Sequence, residues 1–228
     1  MTAQSIYCVI PTVRKLPEHI RSVEAMRKHC MQEGQPIDIA RDDSPPTDAD
    51  PKQDLLNRLM RIRELFLASD ADVLLLIEDD IVVPEHAAVM LAAATVGTHV
   101  AYGFDVCRQP PHRWSMSMEL RANGWNEAPR PHLMSQEEAA ELVQKHEVYV
   151  SGCGLFCTAI PRGVVRRIPF RREPPHHADL AFALDCIKHG VVQNALPSVI
   201  CGHITDDAIL YPNTLATGAH YRAEQREG

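Results

Sequence analysis

Five apolar residues in succession, Val73 to Ile77, run directly into three acids, Glu78, Asp79 and Asp80, and the chain then returns at once to Ile81, Val82 and Val83. An unbroken apolar run of this length fits a strand covered on both faces, which is the environment of a parallel sheet. The flanking segments have helical character. Residues 53–69 place Leu56, Leu59, Met60, Arg63 and Leu67 along the faces of a helix, and Pro84 stands at the first position of a helix expected over 84–95. A buried strand between two helices restricts the chain to an α/β architecture. Three neighbouring carboxylates repel one another and are costly to bury unpaired, so they are placed at the strand's carboxyl end, facing solvent or a divalent cation.

The rest of the chain extends the same alternation. Residues 5–13 read as a first buried strand, 17–33 as a helix that starts on Pro17 and stops before Gly34, and 36–40 as a second strand that opens into the Asp- and Pro-rich loop "RDDSPPTDADP". A strand follows at 99–106. From 107 to 146 the pattern loosens into a segment holding Trp114 and Trp125 and ending in a polar helix over 135–146. Two short strands around Gly152-Cys153-Gly154, a helix over 177–190 closed by Gly190, strands within 191–204 and a polar tail at 206–228 complete the reading. No repeat or linker divides the 228 residues, which are 45% hydrophobic and 23% charged, so one globular domain is expected.

No stretch approaches the roughly 18 apolar residues that span a bilayer, and the N-terminus lacks a basic, then apolar leader pattern, so a cytoplasmic chain without a membrane partner is expected. The seven cysteines are scattered and contain no C-x-x-C pair, which suggests buried thiols rather than a disulfide framework. The spacing of Cys153, Cys157, Cys201 and His203 is not that of a structural zinc site. A net charge of −7 argues against nucleic-acid binding over the whole surface. The local exception is 162–172, with five arginines in eleven residues.

Taken in order, the opening strand "CVIPTV", the acidic loop "ARDDS", the helix "NRLMRIRELFLAS", the segment "LLLIEDDIVVP" and a later "CGHI" resemble the GT-A fold nucleotide-sugar glycosyltransferases, family 2-like, over roughly residues 5–205. The Glu78-Asp79-Asp80 triplet takes the place of the family's D-x-D motif, with Glu where the simplest pattern has Asp. The resemblance implies a Rossmann-like, mixed but mostly parallel central sheet flanked by helices, with a nucleotide-binding part at about 1–106 and an acceptor-binding part at about 107–205. It also implies transfer of a sugar from a UDP- or GDP-sugar to an acceptor hydroxyl.

Matched position by position, the resemblance assigns Pro11, Thr12, Asp42 or Asp43, and Arg58 to the nucleotide. Glu78 or Asp79 falls to the ribose or to water-mediated metal contact. Asp80 and His203 become ligands of Mn²⁺ or Mg²⁺, with the imidazole favouring manganese. Gly152 and Gly154 allow the backbone close to the donor sugar. Asp179 becomes the general base of an inverting reaction. The bland readings are an ordinary Asp/Ser/Pro turn at 42–46, a surface arginine at 58, a helix-start acid at 179 and one histidine among twelve at 203. A soluble acceptor is expected, and the arginine-rich run extends the candidates to phosphorylated and nucleic-acid acceptors. Two alternatives stand beside the transferase: a nucleotidyltransferase acting on a nucleoside triphosphate, and a non-catalytic nucleotide- or nucleic-acid-binding relic of the fold.

Overall fold

The computed structural model describes residues 3–11, 14–110, 112, 114–117, 141–142, 144–174, 176–214 and 221–226. Thr12, Trp125 and most of the helix expected over 135–146 lie outside the described residues. The chain runs β1 (Ile6–Pro11), α1 (Pro17–Gln32), β2 (Ile37–Asp42), α2 (Pro51–Ala68), β3 (Val73–Ile77), β4 (Ile81–Val82), α3 (Ala87–Ala94), β5 (Val100–Phe104), β6 (Met116–Ser117), β7 (Val148–Tyr149), β8 (Gly152–Cys153) and β9 (Cys157–Pro161). It continues through α4 (Arg162–Arg167), α5 (Ala178–Lys188), β10 (Gln193–Ile200), β11 (Gly202–Ile204), β12 (Ala208–Pro212) and β13 (Tyr221–Gln225).

Seven strands form the central sheet in the order β2-β1-β3-β9-β5-β10-β7. β1 pairs in parallel with β2 and β3, and β5 in parallel with β10, while β9 and β7 run antiparallel to their neighbours. The result is a mixed, mostly parallel sheet flanked by helices, the Rossmann-like GT-A arrangement. β3 lies between β1 and β9 with all five residues buried, which explains why its sequence is continuously apolar rather than alternating.

Local chemistry sets the helix ends. Asp50 caps α2 by accepting the Lys52 N–H at 3.0 Å, Pro51 occupies the first turn, and Leu59, Ile62 and Phe66 form the buried stripe. α1 also opens on Pro17, and Gly34 adopts φ +67° just past its end. α3 starts at Ala87 rather than Pro84, because Glu85 and His86 form a turn in which the Pro84 carbonyl accepts the Ala87 N–H at 3.0 Å.

Two regions differ from the sequence reading. Within the tail at 206–228, β12 and β13 join β11 and β4 in a four-stranded sheet of order β13-β12-β11-β4. Arg226 ties its end to Glu18 on α1, with Nε 2.9 Å from the carboxylate. The arginine-rich run is not a uniform basic loop. Arg162 lies against the end of α2 and donates to the carbonyls of Ala71 at 2.6 Å, Ser69 at 2.8 Å and Phe66 at 3.1 Å, while its guanidinium stacks over the Phe66 ring at 4.7 Å. Arg171 pairs with Asp185 and Glu173, and Arg172 with Asp50. These three arginines are engaged within the fold, and only Arg166 and Arg167 of the five are exposed. No helix among the described residues is long and apolar enough to cross a membrane.

Arg162→Ala leaves several carbonyls at the α2 terminus without their donor and is expected to cost about 2 kcal/mol, read as a lower urea midpoint. Arg162→Lys, a point charge without the planar fork, should recover only part of that loss.

Candidate active site at the sheet's carboxyl edge

The three acids that follow β3 face three different ways. Glu78 is anchored through its backbone, whose N–H donates to the Phe156 carbonyl at 2.9 Å and whose carbonyl accepts the Ile81 N–H at 3.2 Å, forming a tight turn. Its side chain enters a cleft of about 390 Å³, mouth included, lined by Pro11, Leu55, Leu59, Leu76, Glu78, Leu155, His177, Ala178 and Asp179. Burial and the neighbouring Asp80 push the Glu78 carboxyl up to about 8. Asp79 turns to the loop after β1, where its Oδ2 accepts the Arg14 backbone N–H at 2.6 Å and its Oδ1 accepts Arg14 Nη2 at 2.7 Å and Nε at 3.1 Å. Asp80 turns to the second sheet.

The pairing of β4 with β11 makes the Asp80 contact. His203 stands opposite Ile81, and the Ile204 N–H donates to the Asp80 carbonyl at 2.7 Å. His203 Nε2 consequently lies 3.3 Å from Asp80 Oδ2. On the other side of the ring, Nδ1 lies 3.1 Å from Asp105 Oδ2 and 3.0 Å from the Val106 carbonyl. Burial would lower the His203 pKa, but the carboxylates of Asp105 and Asp80 outweigh it and raise it to about 10. Burial alone would raise Asp80, yet His203 and Arg14 hold it at about 2. Asp105, 2% exposed, is pushed up by burial.

Asp80 and His203, 123 positions apart in the chain, thus come together, and Asp105 holds the far side of the imidazole as a carboxylate does behind a metal-ligating histidine. Asp80 Oδ1 is buried and has no hydrogen-bond partner among the described residues. One hard oxygen and one imidazole nitrogen suit Mn²⁺, whose shell is commonly completed by phosphate oxygens and water. Among the described residues, no three His, Cys, Asp or Glu side chains are grouped so as to hold a metal ion.

Asp179 is the other acid of the cleft. It sits in the first turn of α5, where Oδ1 accepts the Leu180 N–H at 2.7 Å, and burial raises its pKa despite that bond. Glu78, Asp179 and Pro11 all line the cleft.

Arg58, Asp42, Asp43, Gly152 and Gly154 are not among the residues that line the cleft. Arg58 is 2% exposed and donates to Asp54 at 2.9 Å and to the carbonyls of Asp42 and Ser44 at 2.9 and 2.8 Å, so it shapes the loop after β2 instead of entering the cleft. The Asp42 carboxylate accepts Arg61 Nη2 at 2.8 Å, and Asp43 is exposed on the loop. A Cβ on Gly152 would run into the Ala183 methyl of α5, and one on Gly154 would meet Ser115 Oγ at 2.8 Å. Both glycines therefore permit close packing of protein on protein. Trp114 is a core residue, 5.6 Å from the Phe104 ring.

Three residues of the site escape the sequence reading. Asp105 follows β5 at the same edge where Glu78 follows β3, a position that signals a site in any open α/β sheet. Arg14 is the first basic residue after β1. His19, fully buried, places Nδ1 2.7 Å from the Ile81 carbonyl and steadies the acidic turn.

Comparison of the sequence with protein-family models and with curated proteins gives no match. Among solved structures, A197 from STIV aligns over 98% of this chain and 95% of its own, at 16% identity and a TM-score of 0.55. The inositol-1-phosphate CTP transferase from T. maritima aligns over 89% of this chain and 90% of its own, at 8% identity and a TM-score of 0.45. A glycosyltransferase involved in the glycosylation of the major capsid of PBCV-1 aligns over 72% of this chain and 63% of its own, at 9% identity and a TM-score of 0.39. At such identities the likeness is one of fold, and it is the A197 alignment that carries it.

Gly152→Ala should destabilise the fold by about 1–3 kcal/mol through overpacking against Ala183, measured by chemical denaturation. The double variant Gly152→Ala/Ala183→Gly should recover much of that loss, an outcome that a role in ligand approach would not produce.

Proposed function

We propose that the protein is a cation-dependent glycosyltransferase that moves a sugar from a nucleoside-diphosphate sugar to an acceptor hydroxyl with inversion. The observation that carries this reading is the adjacency of two sites at one sheet edge. A cleft holding Asp179 adjoins, through Glu78, the Asp80–His203 pair.

In this reading Asp80 and His203 hold Mn²⁺, or less favourably Mg²⁺. When bound, the cation neutralises charge growing on the departing diphosphate. The apolar wall of Leu55, Leu59, Leu76 and Leu155 excludes water and receives the donor. Asp179 accepts the proton of the acceptor hydroxyl, whose oxygen forms a bond to the anomeric carbon as that carbon's bond to the diphosphate oxygen breaks. The raised pKa of Asp179 makes it a stronger base than an ordinary carboxylate. Pro11 at the end of β1 borders the donor, and Thr12 follows it in the chain. A UDP- or GDP-sugar is the proposed donor. The proposed acceptor is a soluble hydroxyl compound, since Arg162, Arg171 and Arg172 are already bonded within the protein.

A donor screen with Mn²⁺ over UDP-, GDP-, TDP- and CMP-sugars, read as nucleoside diphosphate release (CMP for the last), tests the reading. Release from one donor, lost by at least about 10²-fold in Asp179→Asn, is expected. Pyrophosphate release from a nucleoside triphosphate instead would assign the site to nucleotidyl transfer.

The pH dependence has a definite sign. The base must be deprotonated, so kcat/KM should fall on the acid side through a pKa above the ordinary carboxylate value near 3.8. A carboxyl with a raised folded-state pKa contributes stability below its unfolded pKa and loses it as pH rises through the folded value. Asp179→Asn, neutral at every pH, should therefore melt at a higher temperature than the wild type at neutral pH while losing transfer.

A further inference from the structure

We propose that Arg14 is an exchangeable counter-ion, which holds Asp79 and Asp80 while the acidic turn is empty and passes to the diphosphate of the ligand when a divalent cation takes its place on Asp80. The proposal rests on the reading of Asp80 and His203 as cation ligands.

The contact is asymmetric. Arg14 Nη2 lies 2.7 Å from Asp79 Oδ1 and 2.9 Å from Asp80 Oδ2. The two carboxylate side chains are 3% and 7% exposed, whereas that of Arg14 is 38% exposed. The acids are fixed by the turn after β3 and by the β4–β11 ladder, while the base stands at the end of a solvent-facing side chain. Two adjacent buried carboxylates need compensating positive charge in every state of the protein. Arg14 bridges both acids in the empty state, beside the His203 contact to Asp80, and a cation on Asp80 would take over its share in the loaded one.

Other basic groups nearby are not exchangeable in this way. His203 is held from behind by Asp105 and Val106. Arg108 lies 3.8 Å from Asp80 Oδ2, at the edge of ion-pair range and 46% exposed, so it forms a second basic wall rather than the latch. A diphosphate on a cation at Asp80 would come within reach of both arginines, and the planar guanidinium matches phosphate oxygens two at a time.

Competition and cooperation then follow from one residue. Arg14 opposes the cation when the cation arrives alone, and assists once diphosphate is present, because its charge has a new partner. The test is calorimetric titration of wild type, Arg14→Ala and Arg14→Lys with MnCl₂ alone, then with pyrophosphate at saturating Mn²⁺. Arg14→Ala should bind Mn²⁺ on the order of tenfold more tightly and pyrophosphate on the order of tenfold more weakly, a coupling of ordinary size. Arg14→Lys should keep near wild-type Mn²⁺ affinity and give intermediate pyrophosphate affinity. Unchanged or weaker Mn²⁺ binding by Arg14→Ala overturns the proposal, since an arginine with a purely structural role would weaken both ligands on removal.

If Arg14→Ala does not fold without metal, Arg14→Gln replaces it and the readout is the rise in melting temperature with MnCl₂. A larger rise than in wild type is expected, and an equal or smaller one overturns the exchange. The donor screen is judged separately. Diphosphate release together with unchanged Mn²⁺ affinity in Arg14→Ala would sink the exchange and leave the transferase reading, while tighter Mn²⁺ binding with no release from any nucleotide sugar would do the reverse.

Discussion

The antiparallel pairing of β4 with β11 is the constraint on which the site depends. Two residues of strand and one further hydrogen bond, from the Ile204 N–H to the Asp80 carbonyl at 2.7 Å, join the turn after β3 to a segment more than a hundred positions later. The ladder brings Asp80 and His203 together, and their opposite charges then favour the contact. It also brings the second sheet to the carboxyl edge of the first, so Asp80 faces that sheet while Glu78 faces the cleft.

Charge at this edge is balanced by placement. Glu78, Asp79 and Asp80 are consecutive, yet each has a separate environment: an apolar cleft, an arginine, and a histidine backed by a second acid. Burial raises Glu78, while His203 and Arg14 overcome burial at Asp80 and lower it. Neighbouring carboxylates whose environments drive their pKa values apart are a recurrent arrangement at sites of chemistry.

Much of this was legible in the sequence, for identifiable reasons. The Val73–Ile77 run is apolar because β3 is covered on both faces, and Pro17 marks a helix start because its missing N–H group is not needed there. The acids were placed at a strand end by the cost of burying them anywhere else. Less visible were β4, too short to show a period, and β13, whose residues after Tyr221 are exposed and so carry no apolar alternation. Asp105 was hidden inside an apolar stretch, and its role depends on His203 across a ladder that no local pattern reports. Gly152 and Gly154 illustrate a different ambiguity, since a glycine that admits a ligand and one that admits a neighbouring helix look alike in sequence.

The position of β9 has a consequence for how the chain assembles. It lies antiparallel between β3 and β5, so a strand from the later half of the chain is inserted between two strands of the earlier half. During synthesis the first hundred residues emerge with the inner edges of both strands unpaired, and they stay so until residue 161 is available. The two halves are therefore threaded into one cooperative unit, and the interval before β9 arrives is when the nascent chain is most open to pairing with the wrong edge.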